Sequence, residues 1–190
     1  MKLDWKKLFK MSMDEKQVES RLEKLINPYS EVFEEGLGTF TAPKAKIHVD
    51  VDAVPKFRKT RPVPYAMKGK IEEEFKRLQE EGTIESVQFS EWSAPIVPIM
   101  KSDNSIRICG DYKITVNQVS KLDNYPIPKV EDLLATLGGG EKFTKLEMSQ
   151  AYQQLQLDDE SKRYTTINTH KGLFQYNRLP YGISSAPGIF

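Results

Sequence analysis

The sequence predicts an α+β fold in which antiparallel hairpins pack against helices, preceded by a helical arm. Two turn signals carry the hairpin half of that expectation. Ser102-Asp103-Asn104 joins the β-rich runs 95–101 and 105–112, and His170-Lys171-Gly172 joins 164–169 and 173–178. Two amphipathic, glycine-stopped segments, 68–82 and 128–140, supply the helices. Helices and hairpins alternate, which favours α+β over a doubly wound parallel sheet.

Each element has its own warrant. In 13–27, Val18, Leu22, Leu25 and Ile26 recur at helical spacing up to a stop at Asn27-Pro28. Residues 1–40 therefore read as a helical arm or linker, and 41–190 as the main domain. Over 68–82, Ile71, Phe75 and Leu78 form one apolar stripe and Gly82 ends the helix. A short β-rich run follows at 83–89. Over 128–140, Val130, Leu133, Leu134 and Leu137 share a face before a glycine stop. The stretch FTKLEMSQAYQQL (143–155) predicts a strand running into a helix over 150–155. The two-residue strand period puts Lys145 and Glu147 on one side and Leu146 and Met148 on the other. Near the end of the sequence, Ser184 or Ser185 is a candidate N-cap with Pro187 in the first turn.

Composition narrows the class. Of 190 residues, 38% are hydrophobic and 29% charged, which suits a globular chain on the polar side. The single cysteine, Cys109, rules out an internal disulfide and a Cys-rich zinc site. It is expected in the core. No stretch approaches the ~20 apolar residues of a membrane span, so an intracellular, cytoplasmic or nuclear location is expected. The net charge of +1 conceals segregation. Residues 55–70 hold six basic side chains and no acid, and 161–190 hold no Asp or Glu. The pattern fits a polyanionic partner on one side, or a solvated charged surface. His48 and His170 have no partner at metal-ligand spacing and are expected at the surface. Asp158-Asp159 reads as a solvated turn.

Five segments occur in order: the basic Pro-rich stretch, SEWSAPIVPIMK, SIRICGDYK, YPIPKVEDLLATLGGGEKFTKLEMSQAYQQL and THKGLFQYNRLPYGISSAPGIF. Together they resemble the reverse transcriptase (RNA-directed DNA polymerase) of gypsy-type LTR-retrotransposon Pol polyproteins, over its fingers and a partial, C-terminally truncated palm. The resemblance covers about residues 40–190.

That resemblance implies roles for individual residues. Chain extension in the family uses two Mg²⁺ ions held by carboxylates, and Glu147 stands where the first catalytic, metal-binding acid belongs. The family has Asp there. The extra methylene of Glu shifts the carboxylate by roughly 1.5 Å. Lys101 and Arg107 match the pair that grips the incoming triphosphate, for which a planar guanidinium is well suited. Tyr152 matches the side chain that clashes with a ribose 2′-hydroxyl. Tyr181 and Gly182 match the loop that stacks near nucleotide and template. By spacing alone, Arg107 would be an exposed strand residue, Tyr152 a core aromatic and Glu147 an exposed polar residue. Asp111 is expected to be structural, paired with a nearby base, and Trp92 and Pro95 to pack. The implied partners are an RNA/DNA primer-template and deoxynucleoside triphosphates. The family's Tyr-x-Asp-Asp acids are not among these residues, so this stretch alone is expected to be inactive. A palm surface left uncovered is expected to favour self-association. The alternative is a non-catalytic nucleic-acid-binding remnant of a retrotransposon polyprotein.

Overall fold

The computed structural model describes residues 15–34, 36–41, 43–122, 126, 128–141, 143, 145 and 147–190, with side chains from residue 19 onward. The chain divides after Gly38 into two compact units. In the first, helix α1 (Glu15–Ile26) continues into a 3₁₀ segment, Asn27–Phe33, at the expected Asn-Pro stop. Leu22 and Leu25 of its apolar stripe are exposed.

The second unit is built on a five-stranded sheet of order β1-β5-β4-β2-β3. The strands are β1 (Ile84–Val87), β2 (Ala94–Met100), β3 (Ile106–Gly110), β4 (Ile167–Thr169) and β5 (Gly172–Tyr176). Both expected hairpins form. β2 pairs with β3 with Val97 opposite Cys109, and β4 pairs with β5 with Ile167 opposite Phe174. Asn104 closes the first turn at φ 66° and Gly172 the second at φ 112°. Two pairings between distant segments complete the sheet. β1 lies antiparallel to β5, and β2 lies parallel to β4 through Ala94–Ile167 and Pro95–Asn168.

Helix α2 (Tyr65–Glu80) covers the sheet. It begins earlier than its apolar stripe suggests, because Pro64 caps it in an extended conformation and Tyr65 then turns helical. Ile71, Phe75 and Leu78 are all buried, and Phe75 stacks on Phe174 of β5 at 5.0 Å between ring centroids. Gly82 ends the helix region at φ 68°, a left-handed conformation open to glycine without strain. Trp92 packs edge-on against Tyr164 at 5.5 Å, and Pro95 is buried, as expected of both. No helix among the described residues is long and apolar enough to cross a membrane.

Several expectations are corrected. Helix α3 (Val130–Thr136) is shorter than 128–140, and Val130, Leu133, Leu134 and Leu137 are exposed. The strand expected over 143–148 lies partly outside the described residues, and Phe143, Lys145, Glu147 and Met148 belong to no strand. The helix expected over 150–155 is a single 3₁₀ turn, Ala151–Gln154. It is entered through Gln150 at φ 46°, ψ 47°, a left-handed conformation that an α-helix start does not tolerate. Asp158-Asp159 is not a bare turn. Asp158 accepts a hydrogen bond from the Ser161 amide at 2.7 Å and caps the short helix α4 (Asp159–Lys162). His170 is not a surface residue. Its ring is largely covered, and Nε2 lies 3.1 Å from Glu72 on α2. Lys171 pairs with the same carboxylate at 3.0 Å, and these hydrogen bonds hold Glu72 below the usual carboxylate range. Ser185 stands at the start of helix α5 (Ala186–Ile189), but its hydroxyl makes no capping bond.

Tyr112 locks the sheet to the segments around it. The side chain is fully buried, its hydroxyl donates to the Thr165 carbonyl at 2.8 Å, and burial pushes its phenol well above the ordinary range. A Cβ on Gly110 would overlap the Tyr112 ring outright. Overpacking at such a site costs roughly 1–3 kcal/mol. Gly110→Ala is therefore expected to lower the stability of the second unit by that amount in urea, moving the midpoint down with an unchanged slope. An unmoved midpoint would show that the ring can step aside.

Candidate functional site

Strand β3 sets the site through its alternation. Ile106, Ile108 and Gly110 face inward, while Arg107 and Cys109 face the other side. Cys109 is therefore not a core residue, as the adjacent Ile108 suggests, but a half-buried neighbour of Arg107. The Arg107 guanidinium carbon lies over the Tyr181 ring, 5.0 Å from its centroid. Tyr181 comes from the loop after Leu179, which is buried and whose amide donates to the Leu155 carbonyl at 2.9 Å. Tyr152, in the 3₁₀ turn, packs against the other side of this group, 5.5 Å from Tyr181 and 5.6 Å from Phe190. Gly182 follows Tyr181 at φ 98°. A side chain there would begin 3.0 Å from the Gly110 carbonyl, a tight contact that the backbone would have to relieve, and the positive φ itself strains any residue but glycine.

Lys101, Arg107 and Tyr181 line one cavity of about 300 Å³ together with Glu74, Arg77, Gln150 and Gln153. Arg77 is committed to Glu74 through hydrogen bonds at 2.7 and 2.8 Å and to Glu81 through a further pair, which hold its guanidinium charged while compensating that charge. The hairpin turn carrying Lys101 is tied to α2, where the Lys70 ammonium donates to the Asn104 side chain at 2.6 Å and its carbonyl at 3.2 Å. Burial pushes the Tyr181 phenol up, and the Arg107 charge opposes that shift. Asp111, just beyond β3, pairs with Arg61 of the basic segment at 2.5 Å.

A family model described as "Reverse transcriptase (RNA-dependent DNA polymerase)" matches residues 99–190. The chain is 40% identical over 174 residues to an uncharacterized protein of Caenorhabditis elegans, covering 90% of this chain and 14% of that protein. It is 30% identical over 176 residues to the retrovirus-related Pol polyprotein from transposon opus of Drosophila melanogaster, covering 89% and 17%. The chain carries a reverse transcriptase-like domain. Solved structures agree on the fold. Prototype foamy virus protease-reverse transcriptase superposes with a TM-score of 0.80 at 22% identity, over 94% of this chain and 24% of that one. The chain thus spans 14% and 17% of the lengths of the worm and fly relatives.

Within this reverse transcriptase-like domain, Lys101, Arg107 and Tyr181 share the cavity, Tyr152 packs on Tyr181, and Gly182 lies against Gly110 and Tyr112. Glu147 does not line their cavity. Its side chain is 80% exposed and pairs with Lys145 at 3.4 Å. Among the described residues no three His, Cys, Asp or Glu side chains converge as a metal site. One exposed carboxylate does not fit the donor set of a Mg²⁺ pair, which needs several oxygen ligands.

Sequence reasoning misses several residues of the site. Gln150 and Gln153 fall on a turn whose spacing predicts a regular helix, and the Gln153 amide oxygen is buried with no partner. Arg77 sits on the polar face of α2, where only the sheet's placement shows it to be at a cavity. Asn117, which hydrogen-bonds the Gly182 carbonyl, lies in a 3₁₀ turn with no periodic signal.

Because Cys109 is the single cysteine of the chain, its alkylation reports on this face. Burial raises its thiol above the ordinary value and the Arg107 charge partly offsets this. The pH–rate profile for iodoacetamide is expected to have its midpoint above that of a free cysteine, and Arg107→Ala should move it higher still. A midpoint that Arg107→Ala leaves in place would contradict the arrangement of these two side chains.

Proposed function

We propose that residues 39–190 form the nucleotide- and template-facing part of an RNA-directed DNA polymerase, transferring nucleotides to a primer 3′-hydroxyl within a gypsy-type Pol polyprotein. The observation that carries this reading is the placement of Arg107 over Tyr181 at the mouth of a cavity shared with Lys101. A guanidinium held over a ring keeps its in-plane N–H groups for a bidentate phosphate contact. Lys101 adds a second positive charge from the hairpin turn. Gly182 lets the backbone approach a bound base or sugar, and Tyr152, braced by Tyr181 and Phe190, supplies a rigid wall suited to excluding a 2′-hydroxyl. The basic segment 55–70 suits the phosphates of a primer-template. Foamy virus relatives of the same fold have been solved in complex with dsDNA and with an RNA/DNA hybrid, which supports nucleic acid as the partner class. Such a partner fits work in the cytoplasm or nucleus.

Glu147 is assigned the first of the carboxylates that hold divalent metal in the family. The further acids that such a centre needs are not among these 190 residues, so no chemical step is derived from Glu147 alone. A second reading, a nucleic-acid-binding remnant without catalysis, is favoured by one observation, Glu in place of Asp at 147 paired with Lys145. The two separate in a longer chain that carries a Tyr-x-Asp-Asp hairpin. There Glu147→Asp should raise primer extension by about two orders of magnitude if geometry limits the rate. It should change nothing if the protein only binds.

For the binding reading itself, a deoxynucleoside triphosphate with Mg²⁺ is expected to slow alkylation of Cys109. Arg107→Ala should weaken that protection at least ~10-fold, the worth of a charge-assisted hydrogen bond. Primer-template affinity should fall by orders of magnitude between low and physiological salt. Absence of protection at millimolar triphosphate would sink the assignment of this cavity.

A further inference from the structure

We infer that Asn117 is a positioning residue for the nucleotide site, setting where Tyr181 stands against Arg107. This inference deepens the proposed nucleotide-binding role and rests on it for its functional consequence.

The geometry is a clamp. The Asn117 Nδ2 donates to the Gly182 carbonyl at 2.7 Å, across 65 residues of sequence. Its Oδ1 accepts from the Ser184 amide at 3.0 Å. One planar amide therefore grips the backbone on both sides of Ile183, immediately after Tyr181. A primary amide offers a donor and an acceptor in one plane. Aspartate keeps the acceptor but sets an anion against the Gly182 carbonyl, and alanine keeps neither.

The clamp is anchored at both ends. Asn117 lies in a 3₁₀ turn, Val116–Gln118, behind fully buried Thr115 and Val116. The Gly110 carbonyl and the Tyr112 ring also lie close against Gly182, 3.0 and 3.4 Å from where a side chain would begin. The loop is thus held at Asn117 and at the end of β3. Since β3 also carries Arg107, the contacts close a circuit: Arg107 along β3 to Gly110 and Tyr112, on to Asn117, across to Gly182, and back through Tyr181 to Arg107. Loss of the clamp frees Tyr181 while leaving the sheet and Arg107 in place. Ser120 and Ser184 join the same two segments through their hydroxyls at 3.2 Å without touching Gly182, and so serve as an internal control.

The test uses the 190-residue chain labelled with 3-fluorotyrosine, with the Tyr181 ¹⁹F resonance assigned through Tyr181→Phe. In the ligand-free protein, Asn117→Ala and Asn117→Asp are expected to shift or broaden that resonance at about pH 7.5, and Ser120→Ala to leave it unchanged. At about pH 4, close to the ordinary aspartate value of ~3.9, the Asn117→Asp side chain is substantially protonated, and its O–H can donate to the Gly182 carbonyl. The resonance should return toward the native position, whereas Asn117→Ala should show no return. Affinity for a deoxynucleoside triphosphate, compared with native at the same pH, should drop ~10-fold for both variants at the higher pH and recover to within about 2-fold only for Asn117→Asp at the lower. If Asn117→Ala fails to fold, the acid rescue of Asn117→Asp decides. A Tyr181 resonance unmoved by either substitution, or no rescue at the lower pH, overturns the inference. A native chain that binds no triphosphate while Tyr181 still responds to Asn117 overturns the nucleotide reading and leaves the positioning of Tyr181 standing.

Discussion

The structure depends on the space around one ring. Tyr112 is buried completely, hydrogen-bonded to the Thr165 carbonyl, and overlaid by Gly110 and Gly182. It thereby ties the end of β3, the segment leading into β4 and the Tyr181 loop into one block. Neither glycine can carry a side chain without displacing the ring or the facing backbone. Local sequence preference is therefore subordinate here to a three-way packing constraint, and the functional side chains inherit their positions from it.

The site's electrostatics follow the same division between support and display. Arg77 is committed to Glu74 and Glu81, Arg61 to Asp111, and the Lys70 ammonium to Asn104. These contacts brace α2, the basic segment and the β2–β3 turn. Arg107 is held over an aromatic ring instead. A ring fixes a guanidinium's position without compensating its charge as a carboxylate does. Backbone strain is concentrated nearby. Gln150 takes a left-handed conformation at the start of the turn that carries Tyr152 and Gln153, a cost that local sequence would not choose and that surrounding contacts must hold.

Elements with strong periodicity or explicit turn chemistry are legible in the sequence. The α2 stripe, the Gly82 stop, both hairpins and the outward face of Arg107 follow from 3.6- and 2-residue periods and from turn residues. Resemblance of the ordered motifs singles out Lys101, Arg107, Tyr152, Tyr181 and Gly182, of which Lys101, Arg107 and Tyr181 line one cavity and Tyr152 packs on Tyr181. The failures are equally specific. Helix-like spacing over 150–155 is overridden by the left-handed Gln150. At Cys109 the adjacent Ile108 misleads, because in a strand it marks the opposite face. At His170 the pattern is silent, because its partner, Glu72, lies 98 residues away.

The sequence by itself determined the reverse transcriptase-like fold class, its local elements and the residue types at the site, because these rest on short-range periodicity and on motif order. The tertiary structure decided the rest. It chose the parallel β2–β4 pairing, buried Tyr112 under two glycines, and neutralised some cations while leaving Arg107 over a ring. It also brought Asn117 to Gly182. Each of these outcomes depends on groups far apart in the chain meeting at hydrogen-bond or van der Waals distance. No local pattern encodes such a distance, because it exists only once the sheet has closed.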